Sequence, residues 1–234
     1  MIEQTREKWE PVFRPGTGGE PAVFAPNKDL VRFHHYRESF LEHAANGRGD
    51  TIMSDAGWVR DVLGYWFDEL KPEDWFMTKA ETDEAIRSRF LRLWQDMRQA
   101  IPSEAFLEAE PALAATIVLD QFPRNMFRKQ ADAFATDRLA QAVAHNARRL
   151  GFGEMLPPSR RAFFHMPFMH SEALADQELC VALFAGNPDQ LKYAIEHRDI
   201  VARFGRFPHR NRALGRESSE AEVEFLKEHA GYGQ

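Results

Sequence analysis

The chain of 234 residues has one cysteine, Cys180. That excludes an intramolecular disulfide framework and fits a reducing compartment. No apolar run approaches the roughly 18 residues that a membrane span requires, so no membrane partner is expected. No signal-peptide core opens the chain, and its early acids argue against an organellar presequence. A cytoplasmic protein is the expectation. There is no GxxxxGK[ST] sequence, and Gly151 and Gly153 follow no strand, which leaves phosphate-loop and dinucleotide sites unsupported and no cofactor implied. Strand-like alternation is missing throughout. Nor does one sign of charge dominate: 30 Lys and Arg against 36 Asp and Glu give a net charge of −6, which supplies no general attraction to nucleic acid or membrane.

What is present is helical periodicity. Residues 1–52 stand apart: RPGTGGEPAVFAPN carries breakers without period, and only Asp29 to Ala45 suggests a short helix. They are read as an N-terminal extension, with the domain beginning at Met53 and Ser54 capping its first helix. Trp58, Val59, Val62, Leu63, Trp66 and Phe67 recur at three- and four-residue spacing, as do Ile86, Phe90, Leu93, Trp94 and Met97. Pro111 suits a first turn of a helix expected to stop at Pro123. Thr136 is expected to cap a helix to about Leu150 that Gly151 and Gly153 terminate, and Pro157–Pro158 open one expected to stop near Pro167. Ser171 is expected to cap the next, Asn187 and Pro188 the one after, and Ser219 with Glu222 has capping-box spacing. The predicted fold is all-α over residues 53–234, about eight helices on short loops. Stacked helix pairs are compatible with a solenoid, yet no sequence repeat is evident.

Three polar clusters interrupt this pattern. LDQFPRN places Asp120, Gln121, Arg124 and Asn125 at a predicted helix end; FFHMPFMHSE places His165, His170 and Glu172 about a predicted break. DIVARFGRFPHRN places Asp199, Arg203, Arg206, His209 and Asn211 about another. Aromatic neighbours imply partial burial, and partly buried polar groups need partners. Two readings stay open. In one, the clusters are structural networks that tie helix junctions together. In the other, they converge on a cavity where spare arginines and histidines await an anion.

His165 and His170 lie five apart across Pro167, unlike the four-residue spacing of zinc ligands on one helix face, so a metal with Glu172 or Asp176 is a minor alternative and no metal is assigned. Cys180 among Leu179, Val181 and Leu183 reads as a buried hydrophobe rather than a nucleophile. Arg198, Arg203, Arg206, Arg210, Arg212 and Arg216, interleaved with phenylalanines, suit phosphate contact and stacking. Their confinement to one stretch of an acidic chain argues against nucleic acid as the partner.

VLGYWF with the following DWF, LDQFPRNMFR, AFATD, PFMHSE, EHRDIVARFGRFPHRN and LGRES together resemble the bacterial family catalogued as domain of unknown function 924, over about residues 54–229. The resemblance implies an all-helical, tetratricopeptide-like superhelical array without evident sequence repeats, and it implies no activity. Its signature segments match at Asp120, Gln121, Arg124 and Asn125; at His170, Ser171 and Glu172; and at Arg203, Arg206, His209 and Asn211.

The leading expectation is a polar site for a small anionic ligand, phosphorylated or carboxylated. Arg124, Arg203 and Arg206 would clamp it, since guanidinium forks suit planar oxyanions. Asn125, His165 and Asn211 would contribute further contacts. His170 and His209 are the candidate proton carriers, oriented by Asp120 and Glu172, and hydrolysis or proton transfer is the chemistry to test first. The alternative is an interaction scaffold for a protein or peptide partner, with structural polar clusters. Depth separates the two. A site enclosed by Phe163, Phe164, Phe168 and Phe204 favours a small ligand, whereas a shallow trough with exposed aromatics and arginines favours a partner chain. Nothing in the sequence sets an oligomeric state.

Overall fold

The computed structural model describes residues 57–229 and 231, all within the unit Met53–Gln234. The extension 1–52, its suggested helix and the Ser54 cap lie outside the described residues. Among those described there are nine α-helical segments and no strand. They are α1 (Gly57–Gly64), α2 (Ala80–Gln99), α3 (Ala109–Thr116), α4 (Phe122–Met126), α5 (Asp137–Leu150), α6 (Pro158–Met169), α7 (Leu174–Leu183), α8 (Pro188–Phe204) and α9 (Glu220–Glu228). Because α3 runs into α4 through a π-helical turn, Ile117–Gln121, they form eight rods, as expected.

The α3–α4 rod is the axis of the fold. Every residue from Pro111 to Phe127 is buried, the pattern of a helix covered on all sides. The rod packs against α1, α2, α5 and α6, and after it successive helices pack in turn, α5 on α6, α6 on α7 and α7 on α8. Phe122 stacks on Phe90 at 4.7 Å between ring centroids and meets Trp66 edge-on at 5.7 Å. Ala140, Val143, Ala144 and Ala147 form the inner stripe of α5, small enough to let it approach its neighbours closely. A smaller cluster of Ile200, Val201 and Phe207, with Phe204 and Phe225, joins α8 to α9.

Several boundaries follow their local chemistry. Gly151 and Gly205 close α5 and α8 at φ 71° and 69°, a conformation in which a Cβ is strained. Asn187 accepts from the Gln190 amide, and Ser219 and Glu222 form the expected capping box.

Two prolines do not stop their helices. Pro123 lies inside the α3–α4 rod, where the π turn widens the bonding pattern and the Phe122 amide reaches back to the Ile117 carbonyl. Pro123 has no N–H for the Leu119 carbonyl four residues earlier. That carbonyl instead accepts the Thr136 hydroxyl at 2.6 Å, and the Asp120 carbonyl accepts from Arg124. Pro167 is likewise inside α6, in its last turn, and the helix closes with the His170 amide on the Met166 carbonyl at 3.0 Å. So near the end, proline removes little of the ladder. Ser171 is not the N-cap of α7, a position held by Ala173. Its hydroxyl accepts from the Ala173 amide at 3.2 Å and donates to Asp176 at 2.7 Å.

Candidate functional site

The buried polar centre is assembled by four elements. The π turn supplies Asp120 and Gln121, α4 supplies Arg124, the first residue of α5 is Asp137, and His170 directly follows α6. A fifth piece, the 3-10 turn Pro208–Arg210, adds Arg210. Asp120 is wholly buried. His170 Nδ1 lies 2.9 Å from both its oxygens, the Gln121 amide donates at 2.6 Å, and Arg124 is 3.4 Å from Oδ1. Arg124 also meets Asp137, at 3.0 Å to Oδ1 and 3.1 Å to Oδ2, and Arg210 reaches Asp137 Oδ2 at 3.2 Å. The Arg210 guanidinium lies over Phe207 at 4.5 Å and over Phe134 at 4.7 Å.

Burial sets the protonation states. Burial alone would push the Asp120 carboxyl up, but Arg124 and His170 outweigh it and hold it at about 2. Burial and then Arg124 push His170 down against the pull of Asp120. A neutral His170 facing an ionised carboxylate carries its proton on Nδ1 and donates it to Asp120. Burial lowers Arg210 to about 10, opposed by Asp137, so it stays charged at neutral pH. Two carboxylates against two guanidiniums, with His170 neutral, leave the buried centre without net charge.

The segments carrying this centre fall inside residues 62–230, which match the model of a bacterial protein family of unknown function, DUF924. The chain belongs to this family. It is also similar to a solved structure of a protein of unknown function, ATU0120 from Agrobacterium tumefaciens, at 38% identity with a TM-score of 0.71. That likeness covers 74% of this chain and 99% of the other. A comparison with curated proteins gives no match.

The other candidate residues of this DUF924 chain go elsewhere. Asn125 donates to Asp83 at 2.9 Å, where Arg128 also binds, clamping α4 to the start of α2. Glu172 takes a two-pronged bond from Arg216, at 2.7 and 2.9 Å, and accepts the Phe207 amide at 2.8 Å. Asn211 accepts from Arg216 at 2.9 Å and donates to Ser218 at 3.0 Å. Arg206 grips Glu222 at 2.7 and 2.8 Å and the Glu217 carbonyl at 2.8 Å. Arg203 is exposed on α8, over Phe204 at 4.7 Å and Phe225 at 5.8 Å. His165 sits within α6, edge-on to Phe184, and burial pulls it down to about 4. His209 lies 5.4 Å from the Phe207 ring, and burial followed by Arg210 pulls it down to about 3.

The structure therefore joins Asp120, Arg124 and His170. Arg124, Arg203 and Arg206, expected to share one anion, share no bonding partner. Sequence reasoning missed Asp137 and Arg210, which connect the first and third clusters. An available signal was the Thr136–Asp137 pair beside Phe134, an acid at a helix start whose neighbours are apolar. It also missed Gln177, whose amide donates to the Met169 and Ser171 carbonyls at 2.7 and 2.6 Å and so ties α6 to α7.

Cys180 is free and buried, its thiol pushed by burial up to about 12. Among the described residues no group of three or more His, Cys, Asp or Glu side chains is placed to hold a metal ion, and no helix is long and apolar enough to cross a membrane. Among the described residues the surface carries two concavities of similar size. One of about 610 Å³ lies between α2 and the loop after α4 and contains none of the candidates. The other, about 590 Å³, lies between α8 and α9 and contains Arg203 alone of them.

Proposed function

We propose that this protein works as an interaction module built on a helical array, and that its buried Asp120–Arg124–Asp137–Arg210 network holds the array together. The carrying observation is the pairing of the arginines. Arg124, Arg206, Arg210 and Arg216 each meet a carboxylate of the chain. An anion arriving at Arg124 or Arg210 would have to displace a buried carboxylate and leave it unpaired, which costs several kcal/mol, and at Arg206 or Arg216 it would compete with a carboxylate already held by two bonds. Phe163, Phe164 and Phe168 are core residues rather than the walls of an open chamber, while Tyr193, Phe204 and Arg203 line an open trough. That combination favours a partner chain over a small metabolite.

A thermal-shift screen of the full chain against phosphorylated and carboxylated metabolites tests this. A ligand at about 100 times its dissociation constant adds roughly 2.7 kcal/mol of stability. The expected outcome is no reproducible shift across the panel. A shift seen with one metabolite and absent from a folded His170→Gln protein would overturn the reading and assign the buried centre to a small ligand.

One observation favours a second reading. Asp120 holds His170 by Nδ1 and fixes its tautomer, which leaves Nε2 as the basic nitrogen, the arrangement of an oriented general base. Proton transfer at that nitrogen, with His209 near enough to feel both His170 and Glu172, is the enzymatic alternative. The same screen decides between them.

A further inference from the structure

The trough between α8 and α9 differs from the rest of the surface in what its charges are doing. Along α8, Lys192, Glu196, Asp199 and Arg203 recur every three or four residues on one face, with Tyr193, Ile200 and Phe204 beside them. Phe225 of α9 and His229 just beyond it form the opposite wall. Both acids already have partners. Glu196 meets His229 Nε2 at 2.9 Å, and Asp199 takes Arg198 at 2.6 Å. Neither of the two lining cations has a carboxylate among the described residues. Lys192 leans towards the Tyr193 ring at 5.9 Å, and Arg203 lies over Phe204 and Phe225.

A guanidinium stacked on rings has its faces covered and its N–H edge outward, the edge that takes a carboxylate in two parallel bonds. From Lys192 to Arg203 is eleven residues of helix, about 16 Å at 1.5 Å per residue. An extended segment covers that span in about five residues. Exposed apolar surface continues beside it: Tyr193 is 47% exposed, Ile195 37% and Val223 49%. A partner for this trough must therefore present negative charge near each end and apolar side chains between, with no lysine or arginine to meet the free cations.

We propose that the α8–α9 trough binds a short acidic segment of another protein, in which Asp or Glu side chains flank aromatic or aliphatic ones. This rests on the interaction-module reading and gives it an address. The Arg203 edge takes one carboxylate, Lys192 takes the other, and Tyr193, Phe204 and Phe225 receive the intervening apolar side chains. The buried network stays closed throughout.

The test is selection of displayed random dodecapeptides on the full-length protein, followed by fluorescence-polarisation binding of the enriched peptides to wild type, Arg203→Glu and Phe225→Ala. Circular dichroism melts first establish that both variants are folded. Expected are peptides carrying Asp or Glu beside Phe, Leu or Ile, weakened about tenfold by Arg203→Glu and further weakened by salt, because the reversal both removes an attraction and adds a repulsion. Phe225 lies in the small cluster joining α8 to α9, so Arg203→Glu on the exposed face decides if Phe225→Ala melts early. Enriched peptides that lack acids, or that bind Arg203→Glu as well as wild type, overturn the assignment of the trough and leave the module reading standing. No enrichment at all, together with a specific metabolite shift, brings down both. Concentration-dependent self-association abolished by Arg203→Glu in sedimentation would give the trough to a second copy of the chain and overturn the acidic-segment proposal.

Discussion

Arg210 and Arg203 stand seven residues apart in one stretch of chain, and each guanidinium lies across two phenylalanine rings. Arg210 is 4% exposed and bound to Asp137, inside a network whose charges cancel. Arg203 faces solvent with no carboxylate among the described residues. Removing the first would leave a buried acid, Asp137, with Arg124 as its remaining cation and the interior network with unbalanced charge, while the second could be reversed with little consequence for folding. Gly205 separates them. The left-handed turn after Phe204 and the 3-10 turn Pro208–Arg210 point the later arginine inward. The contrast shows that positive charge near an aromatic ring does not by itself mark a ligand site. What distinguishes the two positions is whether the chain already supplies the counter-charge.

The sharpest way to break the comparison is Asp137→Ala. It leaves Arg210 without its carboxylate and Arg124 with only Asp120, and the loss should be about 3–5 kcal/mol of unfolding free energy in urea titrations. A loss below about 1 kcal/mol would mean that the interior pair matters no more than a surface one. Acid should act on the interior next. Burial lowers His165 to about 4 and both His197 and His209 to about 3. These depressed values favour the folded state fully above the unfolded histidine value near 6.5, and the advantage is lost as pH falls from there towards the folded values. Between pH 6.5 and 5.5 the three together should cost about 3 kcal/mol, read as a falling denaturation midpoint. A flat profile across that interval would place these histidines in water.

Thr136→Val follows. It deprives the Leu119 carbonyl of a donor and the Trp94 indole N–H of an acceptor at 3.0 Å, and should cost about 2 kcal/mol by the same titration. The smallest effect is expected at the surface. Arg203→Glu should change stability by no more than about 0.5 kcal/mol, a melting shift within about 2 °C. A large destabilisation there would erase the distinction between the two arginines.

The elements were legible where a few adjacent residues decide them. Asn187 with Pro188, Ser219 with Glu222, Gly151 and Gly205 mark their helix boundaries because caps and left-handed turns are local chemistry, whereas Thr136 stands at the start of α5 without a capping bond. Pro123 misled because the tolerance of a helix for proline there is settled at a distance: the hydroxyl that donates to the Leu119 carbonyl is that of Thr136, just before α5. Pro167 is passed by only two residues before its helix ends. The same applies to the site. Asp120, Arg124 and His170 were legible as polar residues in apolar surroundings, and the structure joins them. Arg203, Arg206 and Arg210 look alike in sequence, and only the turn at Gly205 and Pro208 sends one inward and leaves another in the trough. Asp137 was passed over, since nothing local to it shows that two arginines converge on it.

The π turn at Ile117–Gln121 has a consequence for the family's sequences. A π turn is one residue more than the α-helical path it follows, so the rod holds a surplus residue at its most buried point. A relative that lacks this residue need not have a different architecture. It would run as plain α-helix through the same position with both flanks unmoved. Single-residue gaps at this point are therefore the expected trace of the π turn among relatives that share the fold.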